Sequence, residues 1–380
     1  MKGGNKFKAI VMADMHMSNS LPMSQPVGDG VTDRLNDQME VWKKVHQICI
    51  DRKATHLIFL GDLFDKSLLD AVTLTHTISA LIELSKDVKV RILPGNHDAS
   101  SIKGGRFTVE AFGAMDHENI SVLVDEWGIL HGRTSKHTLS TMIYSLPYMP
   151  MKKFQQAVAE IRGRSNPKNF NVLFMHQSII GAEHLGWECD DGIDPDWVCE
   201  GFDLVMSGHF HDTQAFGEVG MYVGAPMHHS FSDVGRAAGV WSIELDGVSA
   251  SKEFIPIDSP KFHKVVSDLD PNWDLVKPMD YCRLEVALTH AEWQMHRHAW
   301  HEKMVARLPG VHCDMQHKPI YHHKKRLRGA SKVGVAMTVD ESIAAYLSAS
   351  EVITTGLDTK KLSEMAREVL GHVRSTRGIS

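Results

Sequence analysis

The chain has 380 residues, 43% of them hydrophobic, which is enough for a sizeable core in two domains or in one large domain with an appendage. Its formal net charge of −6 argues against a uniformly basic surface laid along nucleic acid, although a local basic face fits within it. Five cysteines, odd in number and without C-x-x-C spacing, argue against a disulfide framework or a thiolate zinc site and point to a reducing compartment. No apolar run approaches the roughly 20 residues that span a bilayer and no signal-peptide pattern opens the chain, so a cytoplasmic protein with no membrane association is expected.

Phe7 to Met12 predicts a first buried strand, with Asp14 and His16 just beyond it. Residues two apart on an extended segment share a side, so both can address one ion. After a loop containing Pro22, Pro26, Gly28 and Gly30, the spacing of Leu35, Met39, Trp42, Val45 and Cys49 predicts a helix over Arg34 to Arg52, with Asp33 as its cap. His56 to Leu60 predicts a second strand, ending in Gly61-Asp62-Leu63-Phe64-Asp65, and Ala71 to Leu84 a second helix. Val88 to Pro94 predicts a third strand, followed by Gly95-Asn96-His97-Asp98. Alternating strands and helices imply a parallel sheet with right-handed crossovers, and ligands bind beyond the carboxyl ends of such strands, where these polar clusters fall.

Further strands are expected at Ile120 to Val124, Gly128 to His131 and Met142 to Leu146, and a helix at Met151 to Arg162. Asn169 to Met175 predicts a buried strand ending at His176, and Phe202 to Met206 leads into Gly208-His209-Phe210-His211. Gly220 to Pro226 and Gly239 to Leu245 read as later strands of a second sheet. The polar stretch from Asp258 to Asp274 suggests a domain boundary. Beyond it come a strand at Arg283 to Leu288, a helix at Ala291 to Leu308, and terminal amphipathic helices at Val339 to Leu347 and Lys360 to Val373. Arg283 to Lys332 holds ten Lys or Arg against four Asp or Glu, plus eight His, so this part is locally basic. The expected fold is α/β: a two-sheet sandwich flanked by helices (residues 1–258), a small α+β capping domain (259–332) and C-terminal helices (333–380).

Asp, His and Asn without thiolates suit Mn²⁺, Fe²⁺ or Zn²⁺. Seven candidate ligands are too many for one ion and fit two; such a pair clamps a phosphate and activates a water for in-line attack. One carboxylate must then bridge, and Asp62 lies between the other donor sets in the chain. His97 is the candidate general acid for the leaving oxygen. Asp65 and Asp98 suit supporting or turn roles; His228 and His229 suit either the lining of the cleft or ordinary polar loop positions, the second being preferred. The tract His322-His323-Lys324-Lys325-Arg326-Leu327-Arg328 suits either DNA phosphates or a solvated loop.

Together, D-x-H, G-D-x-x-D, G-N-H-D, a lone His after a strand and G-H-x-H resemble the calcineurin-like metallophosphoesterase signature, over roughly residues 7 to 245. Within that superfamily Gly61 to Asp65, the segment Tyr222-Val223-Gly224-Ala225-Pro226 and the appendage with terminal helices are similar to the SbcD nuclease subfamily, bacterial or phage, of double-strand-break repair. Ala225 departs from that pattern, which more often has Ser. The resemblance implies one ion on Asp14, His16, Asp62 and His211, a second on Asp62, Asn96, His176 and His209, and His97 as proton donor. It also implies two Mn²⁺ ions, exonuclease and endonuclease action on DNA, a homodimer and an SbcC-type coiled-coil ATPase partner; the terminal helices either dock that partner, the reading the resemblance favours, or pack on the nuclease core. For a phage protein the compartment would be the host cytoplasm. The rival reading is a metallophosphoesterase acting on a small phosphodiester or phosphomonoester, whose candidate ligands would look identical. A catalytically silent scaffold is a second rival, against which the complete donor set argues.

Overall fold

The computed structural model describes residues 7–100, 106–124, 127–128, 132–133, 140–184, 187–266 and 271–319. The predicted terminal helices and the basic tract at 322–328 therefore lie outside the described residues, as do 129–131 of one expected strand. Two compact units divide the chain, Met1–Val286 with Met295–His317, and Ala287–Gln294 with Lys318–Ser380. Both sheets of the sandwich and the candidate site belong to the first.

The fold is the α/β sandwich expected of a metallophosphoesterase. Its first sheet has six strands: β1 (Phe7–Met12), β2 (His56–Leu60), β3 (Lys89–Leu93) and β4 (Ile120–Val122) run parallel in that order. Two later antiparallel strands, Gly239–Leu245 and Ala250–Pro256, extend it on the β1 side. The second sheet is built on β5 (Ser140–Leu146), β6 (Phe170–His176), β7 (Leu204–Gly208) and β8 (Gly220–Tyr222), all parallel, with short antiparallel pieces at its edges. A smaller sheet of Phe262–Val265, Tyr281–Leu288 and His312–Pro319 follows, with a helix at His290–Arg307 between its last two strands.

Side-chain alternation sorts the core into three layers. Ala9 and Val11 of β1 and Ile58 and Leu60 of β2 face Val172 and Phe174 of β6 between the sheets. Ile10, Met12, Leu57 and Phe59 point the other way, onto α1 (Asp33–Asp51) and α2 (Ala71–Leu84) through Leu35, Trp42, Val45 and Leu81. Leu173 and Met175 pack outward on α3 (Met151–Arg164) through Phe154, Val158 and Ile161. These strands are buried on both faces, which is why each reads as a continuous apolar run.

Several boundaries differ from expectation. Thr32, not Asp33, caps α1: its backbone is extended (φ −105°, ψ 157°) and its hydroxyl accepts from the Leu35 N–H. Asp33 is the first helical residue, and its carboxylate accepts from Gln25 N at 2.8 Å and Arg34 N at 2.7 Å. His176 ends β6 rather than following it, and the strand expected at Gly220 to Pro226 stops at Tyr222. Among the described residues no helix is long and apolar enough to cross a membrane.

Candidate metal centre

In-register parallel pairing sets the carboxyl ends of the strands side by side: Leu60 opposite Leu93, and His176 opposite Gly208. The polar motifs therefore emerge along one edge. Past the strands the chains stay bonded, with Asp14 N donating to Gly61 O at 3.0 Å and His16 N to Asp62 O at 3.0 Å. The expected extended alternation of Asp14 and His16 does not hold. Both are left-handed (φ 53° and 48°), as are Asp62 (φ 52°) and His209 (φ 104°). Left-handed backbone in a non-glycine residue costs of order 1–3 kcal/mol and persists where the surroundings over-determine it.

The structure brings all seven candidate donors together. Asp14, His16 and His211 form one group and Asp62, His176 and His209 another, with donor atoms in each within 4.8 Å of one another. Asp62 faces both: its Oδ2 is 3.3 Å from His176 Nε2 and 3.9 Å from His16 Nε2. Asn96 Oδ1 lies 2.9 Å from His176 Nε2 and 2.9 Å from His209 Nδ1. Nε2 of His16 and of His211 face each other at 3.2 Å. A third group joins His16, Asp65 and His97.

Hydrogen bonds behind the rings decide which nitrogen faces inward. His176 Nδ1 donates to Leu60 O at 2.8 Å, leaving Nε2 for the site. Asp233 Oδ1 stands 3.1 Å from His211 Nδ1, which likewise leaves Nε2. Ser178 Oγ sits 2.9 Å from His209 Nε2, so His209 presents Nδ1. His97 is exposed and anchored at its base, its N–H donating to Asp62 Oδ1 at 2.8 Å and its Nδ1 to Asp65 O at 2.7 Å. Asp98 is fully buried; its carboxylate accepts from Gly95 N (2.8 Å), Phe64 N (3.0 Å) and Leu63 N (3.3 Å). It thus ties the Gly61-to-Asp65 loop to the Gly95-to-Asp98 loop.

Close approach demands glycine at Gly61 and Gly95, among other positions. A Cβ on Gly61 would stand 2.1 Å from His176 Nδ1, and one on Gly95 2.1 Å from Asp62 Oδ1.

Charge is as crowded as space. Burial pushes Asp14 up to about 6, against the opposing pull of His176. Burial would also raise Asp62, but the charge and hydrogen bond of His176, then His16, hold it below the usual carboxylate range. Burial disfavours a charged His176, yet Asp62 and then Asp14 outweigh it and lift that imidazole to about 9. Burial, reinforced by His176, drops His209 to about 3, and burial keeps His16 well below the ordinary histidine value. The raised His176 and the lowered Asp62 thus favour an ion pair between them. His16 Nδ1 is buried with no hydrogen-bond partner. Thiolate-free oxygen and imidazole donors, an orphaned buried ring nitrogen and a carboxylate facing two groups fit a pair of divalent cations.

Sequence reasoning missed four supporting residues: Ser178, Asp233, His229 and Arg34. His228 and His229 are not ordinary loop residues, since both are buried. His229 donates from Nε2 to Asp14 O at 2.8 Å. Arg34, fully buried, donates to His228 O at 2.9 Å and His229 O at 3.3 Å. Ser230-x-x-Asp233, a capping box on a short 3-10 turn, was a visible local signal for Asp233, but one of structure rather than of a site.

Residues 7–213 match the calcineurin-like phosphoesterase family, and the chain belongs to that family. Among curated relatives, a protein of Invertebrate iridescent virus 3 described as phosphoesterase 078R is 26% identical over 185 residues, covering 48% of this chain and 50% of its own. One of Invertebrate iridescent virus 6, described as phosphoesterase 244L, is 25% identical over 193 residues, covering 50% and 64%. The chain thus matches between half and under two thirds of the length of these relatives. Among solved structures, a dimetal phosphatase from Danio rerio aligns at 9% identity with a TM-score of 0.36, over 67% of this chain and 97% of that one. Pseudomonas putida nuclease MPE aligns at 13% identity with a TM-score of 0.27, over 64% and 87%.

Proposed function

We propose that this chain is the nuclease subunit of a DNA-processing complex, hydrolysing phosphodiester bonds with two divalent cations, Mn²⁺ being the expected ion. The observation that carries this reading is the pair of donor groups with Asp62 facing both, beside an exposed His97 fixed to Asp62 and Asp65. Asp14, His16, Asp62 and His211 would hold one ion, and Asp62, Asn96, His176 and His209 the other. When bound, such ions supply Lewis-acid stabilisation of the phosphoryl group and activation of the attacking water.

The chain's own residues do the rest. The left-handed loops and the Asp98 carboxylate hold the donors in place. His97 Nδ1 keeps its proton on the Asp65 carbonyl, so Nε2 is the atom that carries the mobile proton and delivers it to the departing oxygen. The motif likeness at Gly61 to Asp65 and Tyr222 to Pro226 supports DNA over a small phosphate ester, and the local basic excess from Arg283 onward supports it further. A homodimer and an SbcC-type ATPase partner belong to the same reading.

The test is Mn²⁺-dependent cleavage of linear double- and single-stranded DNA, beside a small phosphodiester and a phosphomonoester, with His97→Ser as control. DNA cleavage that falls about 10²–10⁴-fold in His97→Ser while two ions still bind is the expected result. Turnover of the small esters alone would overturn the DNA assignment.

A further inference from the structure

We propose that His229 is a positioning residue for one of the two cation positions, the one formed by Asp14, His16 and His211, and not for the other. The inference rests on the two-ion reading above and adds to it a residue outside every motif.

Asp14 is held at three points. Its φ is 53°, and among the described residues no backbone N–H bonds its carbonyl. His229 supplies the missing partner: a carbonyl oxygen only accepts, so Nε2 carries the proton and donates across 2.8 Å. The other two anchors of Asp14 are its N–H on Gly61 O, at 3.0 Å, and its carboxylate oxygens on His209 N, each at 3.1 Å. Removing the His229 donor frees the carbonyl end and lets the peptide relax from its left-handed conformation, carrying the carboxylate with it.

His229 is itself held firmly. Its N–H donates to Asp233 Oδ2 at 2.8 Å, and Arg34 binds its carbonyl and that of His228. The other oxygen of Asp233 meets His211 Nδ1 at 3.1 Å. One loop therefore reaches two members of the same donor group, Asp14 through His229 and His211 through Asp233. The His229 ring also lies edge-on to His16 and to His211, with centroids 5.1 Å away in each case. Among the described residues, neither His229 nor Asp233 hydrogen-bonds Asp62, Asn96, His176 or His209. The brace touches one donor group directly and reaches the other only through the His209 N–H on the Asp14 carboxylate, so its loss should fall mainly on the first.

The experiment is calorimetric titration of the full chain with Mn²⁺ alone, for the wild type, His229→Leu and His229→Gln. Gln carries an amide N–H near the place of Nε2; Leu carries none. The expected result is two binding events in the wild type, one of them weakened about 10–100-fold in His229→Leu with the other changed less than about 3-fold, and recovery in His229→Gln. The intact second event shows that the Leu variant is folded. Equal weakening of both events, no weakening, or a Gln variant as impaired as Leu overturns the proposal. A wild type that binds a single ion overturns the two-ion reading and this proposal with it, an outcome distinct from the others because it needs no variant.

Discussion

Gly61→Ala probes one of the tightest points of the site. Gly61 has φ +92°, and a Cβ there would sit 2.1 Å from His176 Nδ1, 2.7 Å from His176 Cγ and 2.9 Å from Gly95 Cα. Ordinary carbon–nitrogen contact is about 3.5 Å, so the ring must retreat by more than 1 Å, in a core packed to near crystal density. That retreat breaks the 2.8 Å bond from His176 Nδ1 to Leu60 O, whose loss in a buried setting costs about 1–3 kcal/mol. The positive φ adds about 1–3 kcal/mol of its own. The expected loss is therefore about 2–6 kcal/mol by urea denaturation, with weakened Mn²⁺ binding at the position that includes His176. Gly201→Ala separates the two contributions: its φ is +79°, but the nearest atom, Arg162 Cγ, is 3.7 Å away, so only the backbone cost of about 1–3 kcal/mol should appear. A Gly61→Ala protein no less stable than Gly201→Ala, with unchanged Mn²⁺ binding, would refute the steric account.

Asp98→Ala strips the acceptor from three backbone N–H groups at once, so it should cost about 3 kcal/mol or more, whereas Asp98→Asn keeps an acceptor and should cost markedly less; equal stabilities in denaturant would dismiss the carboxylate as the tie between the loops. Cation affinity should also depend on pH. His176, lifted to about 9 by Asp62 and Asp14, holds a proton at neutral pH that an ion must displace, so affinity should rise about tenfold per pH unit up to that value. At the other position, the His211 imidazole, which burial lowers but Asp233 raises on balance, and below about 6 the protonated Asp14 carboxyl must also give up protons, so affinity there should rise with pH and most steeply below about 6. Titration in buffers of different ionisation enthalpy counts the released protons directly, and an affinity flat between those two pH values would contradict this.

The sheets were legible because strands buried on both faces announce themselves as apolar runs, and the motifs were legible because parallel sheets gather ligands at the carboxyl ends of such runs. His56 to Leu60 and Ala71 to Leu84 appear in the fold with the bounds the pattern implies. The backbone beyond the strands was not legible. Nothing in the letters of Asp14, His16, Asp62 and His209 says that all four are left-handed. The supporting contacts were hidden for a related reason: His229 reaches Asp14 across 215 positions, and through a carbonyl that any residue would offer. Thr32 and Asp33 are both good cap residues, so local propensity could not choose between them.

The same contrast predicts how the protein responds to chelation. The donors are held by backbone: Asp98 gathers N–H groups from two loops, Asp14 is pinned by Gly61 and His229, and His176 by Leu60. None of these bonds involves the inward-facing atoms. What an ion would alter is the proton count, since the ionised Asp62 and the protonated His176 already offset each other at 3.3 Å. Removal of cations should therefore leave the secondary structure intact and only lower the melting temperature, through the loss of about 2.7 kcal/mol of linkage for each ion present at a hundred times its Kd. Far-ultraviolet circular dichroism before and after EDTA treatment measures the first effect, and a thermal melt the second. Collapse of the dichroism on chelation would mean that the ions, rather than the backbone bonds, hold the loops in their left-handed conformation.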